Sequence, residues 1–214
     1  MIKAVLFDMD GVIIDSEPLH KQIEMDMLKS FGANVERREL EAMAGTPLKV
    51  FCQTMKDRYS ISLPVDEMVA IKKERYFEEL CAIEDIEPIE GIPELLQRLK
   101  SAGLKIALAS SSPIEVIEYI ISAFDIRQYF DTVVTGDYVE RGKPAPDIFL
   151  YAAKQIGVNP DECVVIEDSG NGVRAAKAAR MKCIAFKNLN SGHQDISPAD
   201  MVIEKFDEIE VNNL

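Results

Sequence analysis

Five short apolar runs, each closing on polar or acidic residues, constrain this chain more than any other feature. The first, Lys3-Ala-Val-Leu-Phe7, stops at Asp8 to Gly11, and the others are Leu104 to Ala109, Thr132 to Thr135, Cys163 to Ile166 and Lys182 to Phe186. Runs this short and this continuously apolar fit strands buried on both faces, the condition of a parallel sheet. Helical stretches separate them, and several carry start signals: Gly91-Ile-Pro93 before Glu94, Ser112-Pro113 before Ile114, Pro146 before Asp147, and Ser169 to Gly172 before Val173. The alternation predicts an α/β fold built on a doubly wound parallel sheet. Ligands of such sheets collect beyond the carboxyl ends of the strands, so the polar residues just after each apolar run are the candidates for chemistry.

One segment breaks the alternation. From about Glu17 to about Ala82 the pattern is helical, with Leu19, Ile23, Met27, Leu28 and Phe31 at near-helical spacing and Gly32 where a helix would stop. The expected organisation is therefore a core formed by residues 1–15 and 83–214 with an inserted α-helical cap at 16–82. The acidic, proline-containing stretch Glu84 to Pro88 reads as the return linker.

Composition narrows the partners. The 214 residues carry 24 Lys and Arg against 37 Asp and Glu, a formal charge of −13, which argues against nucleic acid and anionic membrane as ligands. No apolar run approaches the roughly 20 residues a membrane helix needs. Cys52, Cys81, Cys163 and Cys183 form no CxxC pair and only two histidines exist, so the thiols read as buried and free, and the expected setting is the cytoplasm. A monomer is expected.

The strand ends supply a matching set of groups: Asp8-Met9-Asp10-Gly11, Ser110 with Ser111, Lys143 in Gly142-Lys-Pro144, and Glu167-Asp168. Each has a bland reading alone, since a serine before a helix is usually a cap and a lysine is usually a solvated charge. Together, four carboxylates at neighbouring strand ends would repel one another unless a divalent cation and a lysine shared the space. Oxygen ligands without a His or Cys cluster suit Mg2+. With charge neutralised, Asp8 can attack phosphorus. Asp10, two residues along an extended chain, can protonate the leaving oxygen and then activate water. Ser110 and Ser111 would hold phosphoryl oxygens, helped by backbone N–H groups near Met9 to Gly11 and after Ser112, and Lys143 would supply positive charge. Asp8, Asp10, Asp168 and Glu167 are the candidate metal-binding residues, Asp10 through its carbonyl and Glu167 either directly or as a neighbour that orients the ligands. Gly170 and Gly172 read as residues that permit a tight turn before a helix.

Phe7-Asp-Met-Asp-Gly-Val12 with Asp15-Ser16, Ala109-Ser-Ser-Ser112, Gly142-Lys-Pro-Ala-Pro-Asp147 and Ile166-Glu-Asp-Ser-Gly170 resemble the motif set of the haloacid dehalogenase-like superfamily over nearly the whole chain. A helical cap after the first motif resembles the branch of beta-phosphoglucomutase and small sugar-phosphate phosphatases. That resemblance implies the roles just given, Mg2+ as cofactor, and hydrolysis of a small phosphorylated metabolite, with a sugar phosphate the first expectation, through an aspartyl-phosphate intermediate on Asp8; beta-phosphoglucomutase is the alternative. Dehalogenase activity is not implied, because those enzymes lack an acid matching Asp10. His20 sits where the mutases keep a histidine beside the acid–base Asp, and Lys49 and Lys73 are the other cap residues expected to face substrate. Two departures weigh against a mutase: Thr46-Pro-Leu-Lys49 replaces a cap arginine, and Pro113-Ile114 replaces a Lys-Asn pair. A phosphoacceptor signalling module, from a different class, would also place acids, a hydroxyl and a lysine at strand ends, but the cap and Asp10 argue against a long-lived phosphoryl mark.

Overall fold

The computed structural model describes residues 1–43 and 46–214. Six strands form one sheet: β1 (Ala4–Phe7), β2 (Lys105–Ser110), β3 (Thr132–Thr135), β4 (Cys163–Glu167), β5 (Lys182–Phe186) and β6 (Met201–Ile203). Their order is β3-β2-β1-β4-β5-β6 and every pairing is parallel. The doubly wound parallel sheet is thus observed, with β1 at its centre and one more strand than the apolar runs announce. Strand β6 lies at an edge, where two of its three residues stay exposed, so it carries no continuous apolar signal.

The chain divides into two compact units. The first comprises Met1–Asp15, Ile86–Leu189 and Gln194–Leu214, and the second Ser16–Asp85 with Asn190–His193. The helical unit contains α1 (Glu17–Ser30), α2 (Arg37–Glu41), α3 (Leu48–Tyr59) and α4 (Val65–Ala82). Met68, Lys72, Tyr76 and Leu80 recur every four residues on α4 and form its buried stripe, while Ile23, Met27 and Leu28 of α1 and Phe51, Cys52 and Met55 of α3 are also buried. Gly32, at φ +82°, closes the turn after α1. Lys21 Nζ donates to the Asn190 carbonyl at 2.6 Å, within the short segment that joins this unit from far along the sequence.

In the sheet unit, α5 (Ile92–Ser101), α6 (Ile114–Ala123), α7 (Asp147–Ile156) and α8 (Gly170–Ala178) follow their strands. Pro93 lies in the first turn of α5, and Ser169 caps α8 by accepting the Gly172 N–H at 3.0 Å. One face of the sheet packs Ala4, Leu6, Ala107, Ala109, Val134 and Val165 against Ile148, Phe149, Ala152 and Ala153 of α7 and Val173, Ala175 and Ala176 of α8. Val5 and Phe7 point to the opposite face by strand alternation, and both are fully buried. Each such side chain stabilises the fold by roughly 1.5–3 kcal/mol relative to exposure.

Three of the four thiols are buried, and burial pushes Cys52 and Cys163 up to about 11 and Cys183 to about 12. Cys81 departs from the expectation. It lies exposed near the end of α4, where the buried stripe passes through Leu80 and leaves the next position outside. Among the described residues no helix is long and apolar enough to cross a membrane.

Asp131 fastens β3 to β2. Its N–H donates to the Ile106 carbonyl and its carboxylate accepts the Ile106 N–H, both at 2.8 Å, while Lys100 Nζ adds a contact at 3.0 Å. Burial alone would raise this carboxyl, but the Ile106 and Lys100 bonds outweigh it and hold the group below its ordinary value. Asp131→Ala should therefore lower the unfolding free energy by about 1 kcal/mol at neutral pH. Because the folded-state value is depressed, the difference from wild type should vanish as pH falls through it, which urea titrations at neutral and strongly acidic pH would test.

Candidate active site

The sheet register assembles the site. Phe7 of β1 is level with Ile166 of β4 and with Leu108 of β2, so the next residue of each strand end, Asp8 and Glu167, lie side by side. The Asp8 N–H donates to the Ile166 carbonyl at 3.0 Å, continuing the ladder one step past the strand. Lys143, from the loop between β3 and α7, places Nζ 2.6 Å from Asp8 Oδ1 and 2.8 Å from Glu167 Oε1, and 4.9 Å from the centre of the Phe149 ring. All three side chains are buried.

Glu167 uses both oxygens, because Oε2 accepts the Ser169 N–H at 2.7 Å. Gly172 leaves the room: a Cβ there would sit 1.6 Å from Glu167 Oε1. Gly11 does the same for Asp168, since a Cβ would lie 2.1 Å from Asp168 Oδ2, and its φ of +80° also suits glycine. The sequence reading of Gly172 as a turn former misses this requirement for space.

Asp8, Glu167 and Asp168 each offer an oxygen within 4.8 Å of the others. Three carboxylates against the Lys143 ammonium give a formal balance of −3 + 1 = −2. That deficit, the hard oxygen donors and the short separations fit one divalent cation held by these three residues. The strain of the arrangement shows in Asp8, which burial raises from 3.8 to about 7, with Lys143 opposing and Glu167 and Asp10 adding to the rise. Burial would also lower Lys143, but Asp8 and Glu167 outweigh it and keep the ammonium charged.

Asp10 stands apart from that trio. Its Oδ2 accepts the Ser112 hydroxyl at 2.7 Å, and Ser110 Oγ lies 3.5 Å away. Ser110 is fully buried at the end of β2, whereas Ser111 is exposed. The structure thus brings together Asp8, Glu167, Asp168 and Lys143, and beside them Asp10 and Ser110. Ser112 was read only as a helix start, yet it makes the shorter contact to Asp10. Asn188, just after β5, donates to the Gly11 carbonyl at 3.0 Å, and the rule of searching polar residues after each apolar run would have found it.

The cap candidates belong to the helical unit. His20 stacks on Tyr76 with ring centroids 4.0 Å apart. Lys49 is exposed and pairs with Asp66 at 2.8 Å. Lys73 is exposed too, while its neighbour Lys72 is buried and bonds Glu24. Burial raises Glu17 above its ordinary value against the pull of His20 and Lys21.

Residues 5–186 match the family model of the haloacid dehalogenase-like hydrolases. The chain belongs to that family. This family member is 36% identical to hexitol phosphatase B of Escherichia coli K12 over 86% of its own length and 82% of the relative's. Its fold matches the crystal structure of CbbY from Rhodobacter sphaeroides in complex with phosphate, at TM-score 0.82 and 30% identity over 97% and 96% of the two chains. It also matches beta-phosphoglucomutase from Clostridium difficile, at TM-score 0.83 and 26% identity over 100% and 95%.

Two outcomes follow from the site. Gly172→Ala should displace the Glu167 carboxylate, loosen Lys143 and lower turnover about 100-fold, read from steady-state kinetics beside a melting curve. A carboxyl that binds its proton more tightly when folded makes stability fall as pH rises between its two values. The metal-free protein should therefore lose stability between about pH 4 and about pH 7, and a saturating divalent cation should flatten that slope in urea titrations.

Proposed function

We propose that the protein is a Mg2+-dependent phosphoric monoester hydrolase that takes a phosphoryl group from a small phosphorylated carbohydrate onto Asp8. The observation that carries this reading is Lys143 bridging Asp8 and Glu167 in a buried crevice that also holds Asp168. Bound Mg2+, held by Asp8, Asp168 and Glu167 with the Asp10 carbonyl, would supply the charge that keeps Asp8 ionised beside an anionic substrate.

Asp8 attacks phosphorus through a carboxylate oxygen while the bond from phosphorus to the ester oxygen breaks. Asp10 gives that oxygen its proton, and the alcohol leaves. The Asp10 carboxylate then takes a proton from water as the water oxygen attacks phosphorus. The bond to Asp8 breaks, releasing inorganic phosphate and restoring both acids. Lys143, the Ser110 hydroxyl and backbone N–H groups of Met9, Asp10 and Ser111 offset the charge on the transferring oxygens.

The relatives support the substrate class: one is named a hexitol phosphatase, and another was solved with phosphate. Residues 16–82 are assigned substrate selection, with His20 as the first candidate contact. Lys49 and Lys73 remain further candidates, although the pairing of Lys49 with exposed Asp66 favours hydrolysis over a mutase, which must grip a bisphosphate at both ends. A cytoplasmic monomer completes the reading.

Phosphate release from a panel of hexose, polyol and pentose phosphates should require Mg2+, cease with EDTA and return on Mg2+ addition. Asp8→Asn should lower kcat about a thousandfold or more. Full activity in that variant refutes the mechanism.

A further inference from the structure

The loop after β2 offers more than the single hydroxyl used in the proposed reaction. Ser112 Oγ donates to Asp10 Oδ2 at 2.7 Å, a short bond to a charged acceptor, while Ser110 Oγ is 3.5 Å from the same oxygen. The Ser112 N–H donates to Ser110 Oγ at 3.0 Å, folding the loop back on itself. Thr135, buried at the end of β3, donates its hydroxyl to the Ser112 carbonyl at 2.7 Å. Its Oγ1 also accepts the Asp137 N–H at 3.3 Å, so its one proton is aimed at Ser112. The register explains the brace, because Thr135 is level with Ser110 across β2 and β3. The next residue, Gly136, brings its backbone against Ser111, where a Cβ would lie 3.3 Å from the Ser111 Cα.

Three strand ends are therefore linked in series, from Thr135 through Ser112 to Asp10. We infer that Ser112 is a positioning residue for Asp10: its hydroxyl grips one carboxylate oxygen and so aims the group that carries the proton, and Thr135 fixes Ser112. This rests on the acid–base role proposed above for Asp10. The partly exposed Asp10 side chain has two rotatable bonds, and a displacement of 1 Å in a proton-transfer group costs about 100-fold in rate. A hydroxyl engaged with Asp10 acts on turnover. A hydroxyl that gripped the phosphoryl group instead would act on binding.

The test measures kcat and KM with para-nitrophenyl phosphate, and competitive inhibition by inorganic phosphate, in wild type, Ser112→Ala, Ser112→Thr and Asp10→Asn. Hydrolysis of the aspartyl phosphate needs Asp10 even with this good leaving group. Ser112→Ala should lower kcat about 10- to 100-fold while KM and phosphate inhibition stay within about threefold. Ser112→Thr, which keeps the hydroxyl, should recover most of the loss. The inference is overturned if Ser112→Ala turns over like wild type while Asp10→Asn is inactive. It is equally overturned if phosphate inhibition weakens in step with kcat, since that marks a direct contact with the phosphoryl group. Wild-type turnover in Asp10→Asn would overturn the acid–base reading itself, and no phosphate release by wild type would overturn the proposed reaction.

Discussion

The Lys143 ammonium, held between Asp8 and Glu167, is the interaction on which the rest of the site depends. Taking a charge out of water costs several kcal/mol, and a buried pair recovers that only with close geometry and further hydrogen bonds. Here the geometry is close and Glu167 has a second donor in the Ser169 N–H. Yet the arrangement holds more negative than positive charge, and burial, with Glu167 and Asp10 adding to it, raises Asp8 against the pull of Lys143. A sheet selected for stability alone would place apolar side chains at these positions. The meeting of two strand ends and one loop lysine is better understood as a site whose excess negative charge a bound cation would offset.

Such crowding is possible because the backbone gives up side chains where the carboxylates lie. Gly11 and Gly172 occupy positions where a single methyl group would overlap Asp168 and Glu167. Both stand in the first turn after a strand, so the residues that end β1 and open α8 are shaped by the acids they face as much as by turn geometry. Parallel register does the remaining work: β1 and β4 in step put Asp8 beside Glu167 without any strain in the sheet.

Most of this was legible in the sequence wherever the physics is local. The buried strands β1, β2, β4 and β5 are continuous apolar runs, and the helices α5 to α8 begin at proline, glycine and serine signals, so both were readable. Asp8, Asp10, Ser110, Glu167 and Asp168 could be marked as neighbours because they stand at or just past the ends of those runs, whereas Lys143 lies in a loop and is marked by its Gly142-Lys-Pro144 context. What escaped depends on distant contacts. Strand β6 exists because β5 offers an open edge, and Met201 and Val202 remain exposed on it. Asn190–His193 join the helical unit from far along the sequence, where Lys21 bonds the Asn190 carbonyl. On α4, Lys72 and Lys73 are indistinguishable by composition, and only the four-residue stripe through Met68, Tyr76 and Leu80 assigns the buried place to Lys72.

Asp8 and Asp10 illustrate how one short motif is made to do two jobs. They are identical residues two positions apart, and their side-chain chemistry does not distinguish them. Their surroundings do. Asp8 is buried with a lysine and further carboxylates, one of its oxygens within 4.8 Å of an oxygen of Glu167 and of Asp168. Asp10 is partly exposed and accepts a hydrogen bond from the serine loop, the environment on which its proposed proton exchange rests. Two carboxyl groups in surroundings this different are what the proposed two-step transfer would use, one to carry the phosphoryl group and the other to carry the proton. Separating them takes only a turn of backbone between β1 and Ile14, closed by hydrogen bonds to the Met9 carbonyl. The chemistry of the site is therefore written in the path of that turn as much as in the residues along it.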